Sequence, residues 1–61
     1  LNIKKRRLQL GISQQQLANA VGVDRSAVSQ WENGKTLPRS NRLKLLAKTL
    51  KTTIGKLTAD T

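Results

Sequence analysis

The sequence predicts an all-α fold of five short helices, and three observations carry that prediction. Gly11, Gly22, Gly34 and Pro38 divide the chain into blocks too short for long helices. No stretch keeps the apolar–polar alternation of a half-buried strand. Leu43, Leu46, Ala47 and Leu50 fall at i, i+3, i+4 and i+7, the stripe with which a helix buries one face. With 61 residues, no internal repeat and no low-complexity stretch, the chain reads as one domain, residues 1–61. No connection is longer than about six residues, which suits a compact bundle.

The first block runs from about Asn2 to Leu10, with Ile3, Arg7, Leu10 and Leu8 as candidates for one face and Gly11 as a left-handed stop. The second opens on Ser13-Gln14-Gln15-Gln16, a capping box in which Ser13 Oγ accepts from the Gln16 backbone and Gln16 reaches back. Ile12 and Leu17 have the spacing of a hydrophobic staple across that cap, and Leu17, Ala18 and Val21 form the inner face before Gly22. The third block starts at Asp24, whose carboxylate suits both the capping position and the positive helix end. Its inner face is Ala27, Val28 and Trp31, and Asn33-Gly34 ends it. Trp31, at i+3 and i+4 from Val28 and Ala27, reads as core and not as a base-stacking ring. The fourth block carries the leucine stripe behind a Ser40 cap. In the fifth, Thr53 caps, Ile54 and Leu57 point inward, and Gly55 weakens the helix by up to about 1 kcal/mol relative to Ala.

Composition narrows the chemistry. There is no Cys and no His, so disulfides and thiolate or imidazole metal sites are excluded, and apolar packing alone must hold the core. A domain this small buries roughly 60% of its unfolded surface, which leaves it marginally stable. Twelve Lys and Arg stand against Asp24, Glu32 and Asp60, a net charge of +9. Such an excess points to a polyanionic partner, nucleic acid first and an anionic membrane second, or to a merely soluble basic protein. No apolar run approaches the roughly 20 residues that span a bilayer, and no signal-peptide pattern is present. Leu1 in place of an initiating Met leaves room for a preceding arm, and the weak fifth block leaves room for a following oligomerisation segment.

Blocks two and three, about residues 13–33, are two short helices joined by a glycine-containing turn, the helix-turn-helix pattern. The outer face of the second of these helices, about 25–33, is small and polar. Arg25 can donate a bidentate pair to guanine O6 and N7. Gln30 can pair with adenine N6 and N7. Ser26 and Ser29 can donate or accept while letting the helix approach base edges closely. An ordinary solvated helix face has the same composition less often than a groove-reading one.

The segments Leu-Gln-Leu-Gly-Ile-Ser-Gln-Gln-Gln-Leu-Ala, Val-Gly-Val and Ser-Ala-Val-Ser-Gln-Trp-Glu-Asn-Gly-Lys resemble the lambdoid phage repressor and Cro family over roughly residues 3–57. The resemblance implies a five-helix lambda-repressor-like fold and the function of a transcriptional repressor in a bacterial host, cytoplasmic and nucleoid-associated. Its partner would be a pseudo-palindromic double-stranded operator, bound as a homodimer that is weak or absent without DNA, with half-sites about 34 Å apart. It implies base contacts from Arg25, Ser26, Ser29 and Gln30. It also implies that Gln14 contacts a phosphate and buttresses the recognition helix, with the alternative that Gln14 serves only at the cap. Asn33 and Lys35 match positions that touch the DNA backbone, although Lys35 can equally be a solvated loop charge. Arg7 and Glu32 look like a partly buried ion pair joining the first and third helices, as in some relatives. No cofactor, metal or small-molecule ligand is implied.

Two departures stand out. The final helix of such proteins usually carries bulky apolar residues for the dimer contact, whereas Thr53-Ile54-Gly55-Lys56-Leu57-Thr58 predicts feeble association there. Arg6 occupies a position that is often leucine, which predicts looser packing of the first helix. The run Lys4 to Arg6 either touches phosphates or is a solvated charged face. Three further readings stay open: a DNA-binding module with a protein partner, such as an antitoxin or a restriction-modification controller; a cationic membrane-surface peptide, against which the caps and glycine stops argue; and an enzyme, the weakest, since no two acids lie close enough in sequence to share acid and base work.

Overall fold

The computed structural model describes residues 2–58, so Leu1 and Asp60 lie outside the described residues. Those residues form five helices and no strand: α1 (Ile3–Leu10), α2 (Gln14–Val21), α3 (Arg25–Glu32), α4 (Ser40–Thr49) and α5 (Ile54–Thr58). Helix α2 is central and packs against both α3 and α4, while α1 leans on α3 and α5 closes over α4. None of the helices among these residues is long and apolar enough to cross a membrane.

Local chemistry explains where the helices begin. Ser13 Oγ accepts from Gln16 N at 3.0 Å and Gln16 Oε1 accepts from Ser13 N at 2.8 Å, so the capping box is complete. Asp24 Oδ1 accepts from Ala27 N at 3.0 Å. Thr53 Oγ1 accepts from Lys56 N at 3.2 Å. The start of α4 differs from expectation. Ser40 is already helical, and the residue before the helix is Arg39, extended after Pro38 and without a capping side chain. Asn41 Oδ1 instead accepts from Arg42 N at 2.9 Å, which satisfies a first-turn donor from inside the helix.

The first four helices end alike. After each, an amide bonds back to the carbonyl five residues earlier: Ile12 to Arg7, Val23 to Ala18, Lys35 to Gln30 and Thr52 to Ala47. This 6→1 bond requires a left-handed residue just before it. Three of these positions are glycine, but after α4 it is Lys51, at φ 54°. A residue with a Cβ carries a steric penalty there, about 1–2 kcal/mol.

The core is Ile3, Leu17, Ala18, Val21, Val28, Trp31, Leu46, Leu50 and Leu57, with Leu10, Ile12, Val23, Ala27 and Leu43 packed around it. Trp31 is thus a core residue. Two expected core residues are not. Leu8 is 59% exposed, because at 100° per residue it lies about 140° around α1 from Ile3, whereas Arg7 and Leu10 stay on the buried side. Ile54 is 39% exposed at the rim of α5, where Leu57 alone anchors the helix.

Candidate nucleic-acid interface

The interface is built on the turn between α2 and α3. Gly22 takes φ +75°, a backbone conformation that favours glycine, and a Cβ there would come only into ordinary contact with Arg42 Nη1 at 3.4 Å. Arg42 donates from that nitrogen to Val21 O at 2.8 Å, fixing the end of α2 to α4. Val28 and Trp31 then lock α3 into the core.

With its inner face anchored, α3 turns the opposite face outward. Arg25, Ser26, Ser29 and Gln30 centre about 180° from Ala27, Val28 and Trp31 on the helical wheel. Arg25, Ser26 and Gln30 are exposed and Ser29 is half-buried. The four differ in how free they are. Ser26 Oγ donates to Asp24 Oδ1 at 3.0 Å, which leaves its lone pairs as acceptors. Ser29 Oγ receives a long 3.5 Å contact from Asn33 Nδ2. Arg25 and Gln30, the two side chains with bidentate base-pairing geometry, have neither a hydrogen bond nor an ion pair with the described residues.

The far end of α3 is held by a charged network. Arg7 Nε donates to Glu32 Oε2 at 2.7 Å and Arg7 Nη2 to Glu32 Oε1 at 3.3 Å, with side chains only 9% and 3% exposed. Arg7 Nη1 also donates to Ile12 O at 2.9 Å, and Gln14 Nε2 donates to Glu32 Oε1 at 2.8 Å. One carboxylate thus ties α1, the start of α2 and the end of α3 together. Burial pushes the Glu32 carboxyl up, but hydrogen bonds from Arg7 and Gln14 and the Arg7 charge outweigh it and hold the pKa below its ordinary value. One N–H of the Gln14 amide remains for an outside acceptor. Asn33 and Lys35 are exposed, after the end of α3.

Apart from the Arg7–Glu32 pair, which the family resemblance implied, long-range side-chain contacts were not legible in sequence. Arg6, expected to loosen α1, instead clasps the end of α4. Its Nε donates to Leu50 O at 2.8 Å, Nη2 to Lys51 O at 3.1 Å and Nη1 to Gln9 Oε1 at 3.0 Å. A planar fork can serve two consecutive carbonyls where a leucine could serve none, and a cation suits a helix C-terminus. The Arg42–Val21 and Gln14–Glu32 bonds join residues 21 and 18 positions apart, with no local signature.

Comparison with known proteins agrees with this geometry. A family model described as helix-turn-helix matches residues 3–57. The HTH-type transcriptional activator BcrR of Enterococcus faecalis is 40% identical over 58 residues, a match covering 92% of this chain and 28% of that protein, so the chain spans little more than a quarter of that relative. The crystal structure of the P22 c2 repressor bound to a synthetic operator superposes with a TM-score of 0.89 at 39% identity, covering 92% of this chain and 85% of that one. The chain belongs to the helix-turn-helix family, as a DNA-binding domain of the lambdoid repressor type.

Proposed function

We propose that the chain binds a pseudo-palindromic operator in double-stranded DNA as a phage-type transcriptional repressor, with α3 in the major groove. The carrying observation is that Arg25 and Gln30 project from a rigidly anchored helix with their donors uncommitted. Arg25, Ser26, Ser29 and Gln30 read base edges, each good bidentate pair contributing about 1–3 kcal/mol of discrimination. Gln14, Asn33 and Lys35 contact phosphates and set the docking register. The protein acts as a dimer on DNA, one recognition helix per half-site, with half-sites about 34 Å apart. Two relatives frame the regulatory outcome: one is named a repressor and the other an activator. Covering a promoter needs only the DNA contact that this domain supplies, and that favours repression.

Selection from a pool of randomised duplexes at two salt concentrations tests this reading. The expected result is a two-fold symmetric motif with half-sites one turn apart. A single enriched half-site would keep the groove-reading helix and remove the dimer. Binding without enrichment that vanishes as salt rises would overturn the repressor function. In the same assay Arg25→Ala is expected to relax preference at one base position, whereas Lys35→Ala weakens all sequences about equally. An unchanged motif for Arg25→Ala would show that α3 does not read bases through this residue.

A further inference from the structure

The basic run in α1 is divided by the fold. Arg7 is buried on Glu32 and Arg6 is consumed by the end of α4, but Lys5 faces a cleft between α1, the end of α4 and α5. Lys48, Lys51 and Lys56 line the same cleft. All four lysines are exposed, and none of their ammonium groups has a hydrogen bond or ion pair with the described residues. The two described acids, Asp24 and Glu32, lie elsewhere, at either end of α3. The cleft, of about 560 Å³, has room for an extended ligand, not just a single ion.

None of the residues assigned to groove reading or to its flanking phosphates lines this surface. Lys35 precedes the start of α4, whereas Lys48 and Lys51 stand at the opposite end of that helix, about 15 Å along its axis. The chemistry discriminates between partners. A protein interface is expected to centre on exposed apolar or aromatic anchors. The apolar residues lining the cleft, Ala47 and Leu57, are 6% and 1% exposed, so the surface offers no exposed apolar or aromatic side chain as an anchor. Four hydrated lysines without forked geometry suit a polyanion bound through counterion release, not a ligand of fixed shape.

The geometry points to a second DNA contact: the Lys5, Lys48, Lys51 and Lys56 cleft binds the phosphate backbone of duplex DNA without sequence preference, apart from the recognition helix. The inference rests on the DNA-binding reading above. The phosphates come either from the flanks of the duplex held by α3 or from a second duplex brought alongside.

The test compares the wild-type chain with the quadruple variant Lys5→Gln, Lys48→Gln, Lys51→Asn and Lys56→Gln, Asn being chosen because it tolerates the left-handed backbone. Binding to a duplex of unrelated sequence is measured against salt. The slope of log affinity against log salt is expected to flatten by about 0.9 for each phosphate that the variant no longer neutralises. A quadruple Lys→Arg variant should keep the wild-type slope. An unchanged slope in the neutralised variant overturns the proposal, as does tighter binding of poly-glutamate than of DNA at matched charge. Trp31 emission and circular dichroism check folding. If the quadruple variant unfolds, the double variant Lys5→Gln/Lys48→Gln, altered only at exposed helical positions, gives the same readout.

Two further arms identify the source. Capture of a labelled unrelated duplex by protein on an immobilised selected duplex indicates a second duplex. Weakened binding to a long but not a minimal duplex, without capture, indicates the flanks. Failure of the repressor reading is separate: it appears as no enriched motif for the wild type, whatever the slope does.

Discussion

The two halves of the domain solve the same problem with different security. In the α2–α3 half both helix starts have capping side chains, both left-handed stops are glycine, and a buried carboxylate binds the end of α3 to two other helices. In the α4–α5 half, α4 begins without a side-chain cap at the preceding residue, its left-handed stop is Lys51, and α5 has five residues with one buried anchor. Arg6 reaches from α1 to hold that second junction from outside. The difference teaches where rigidity is needed. On the proposed reading, a helix that presents side chains to base edges needs a fixed orientation, whereas the α4–α5 corner covers the core and carries flexible lysines that need none.

The sharpest way to break the contrast is Glu32→Ala, which strands the buried Arg7 and releases Gln14. It should cost about 3–5 kcal/mol in a urea titration, enough to leave so small a domain largely unfolded. A cost near that of a surface substitution would mean that the network is not what secures α3. The same carboxylate predicts an acid limit. Because the folded pKa of Glu32 is held below its ordinary value near 4.5, its contribution is fully present above that value. It is lost as pH falls through the lower folded pKa. Thermal melts across that range should therefore show a declining midpoint, and the decline should be shallower in a Glu32→Gln variant.

Smaller effects separate the turns. Gly22→Ala places a Cβ at φ +75° beside Arg42 and should destabilise by about 1–2 kcal/mol, measured by denaturant midpoint. Lys51→Gly should do the opposite, stabilising by up to about 1 kcal/mol, because relief of the left-handed penalty exceeds the added chain entropy. If Lys51→Gly destabilised the domain, the Arg6 clasp would have to favour the lysine backbone for a reason beyond φ alone.

The sequence by itself determined most features that depend on neighbours within about one helical turn, the exceptions being the start of α4 at Arg39 and the left-handed stop at Lys51. The capping box at Ser13, the Asp24 and Thr53 caps, the glycine stops and the inner faces of α2 and α4 follow from hydrogen bonds and periodicity spanning three to five residues, so the residue pattern suffices. The polar outer face of α3 was legible for the same reason, once Val28 and Trp31 had defined the inner one. Beyond the Arg7–Glu32 pair that the resemblance implied, tertiary structure alone decided which long side chains found partners across the fold. Arg6 met the carbonyls of Leu50 and Lys51, Arg42 met Val21, and Gln14 met Glu32, in pairings that span 18 to 45 positions. It also left Leu8 and Ile54 exposed, and it gathered lysines from α1, α4, α5 and the turn after α4 into one cleft. A flexible cation has no preferred local partner. Its role is therefore settled only when helix packing brings a carbonyl, a carboxylate or other cations within its reach.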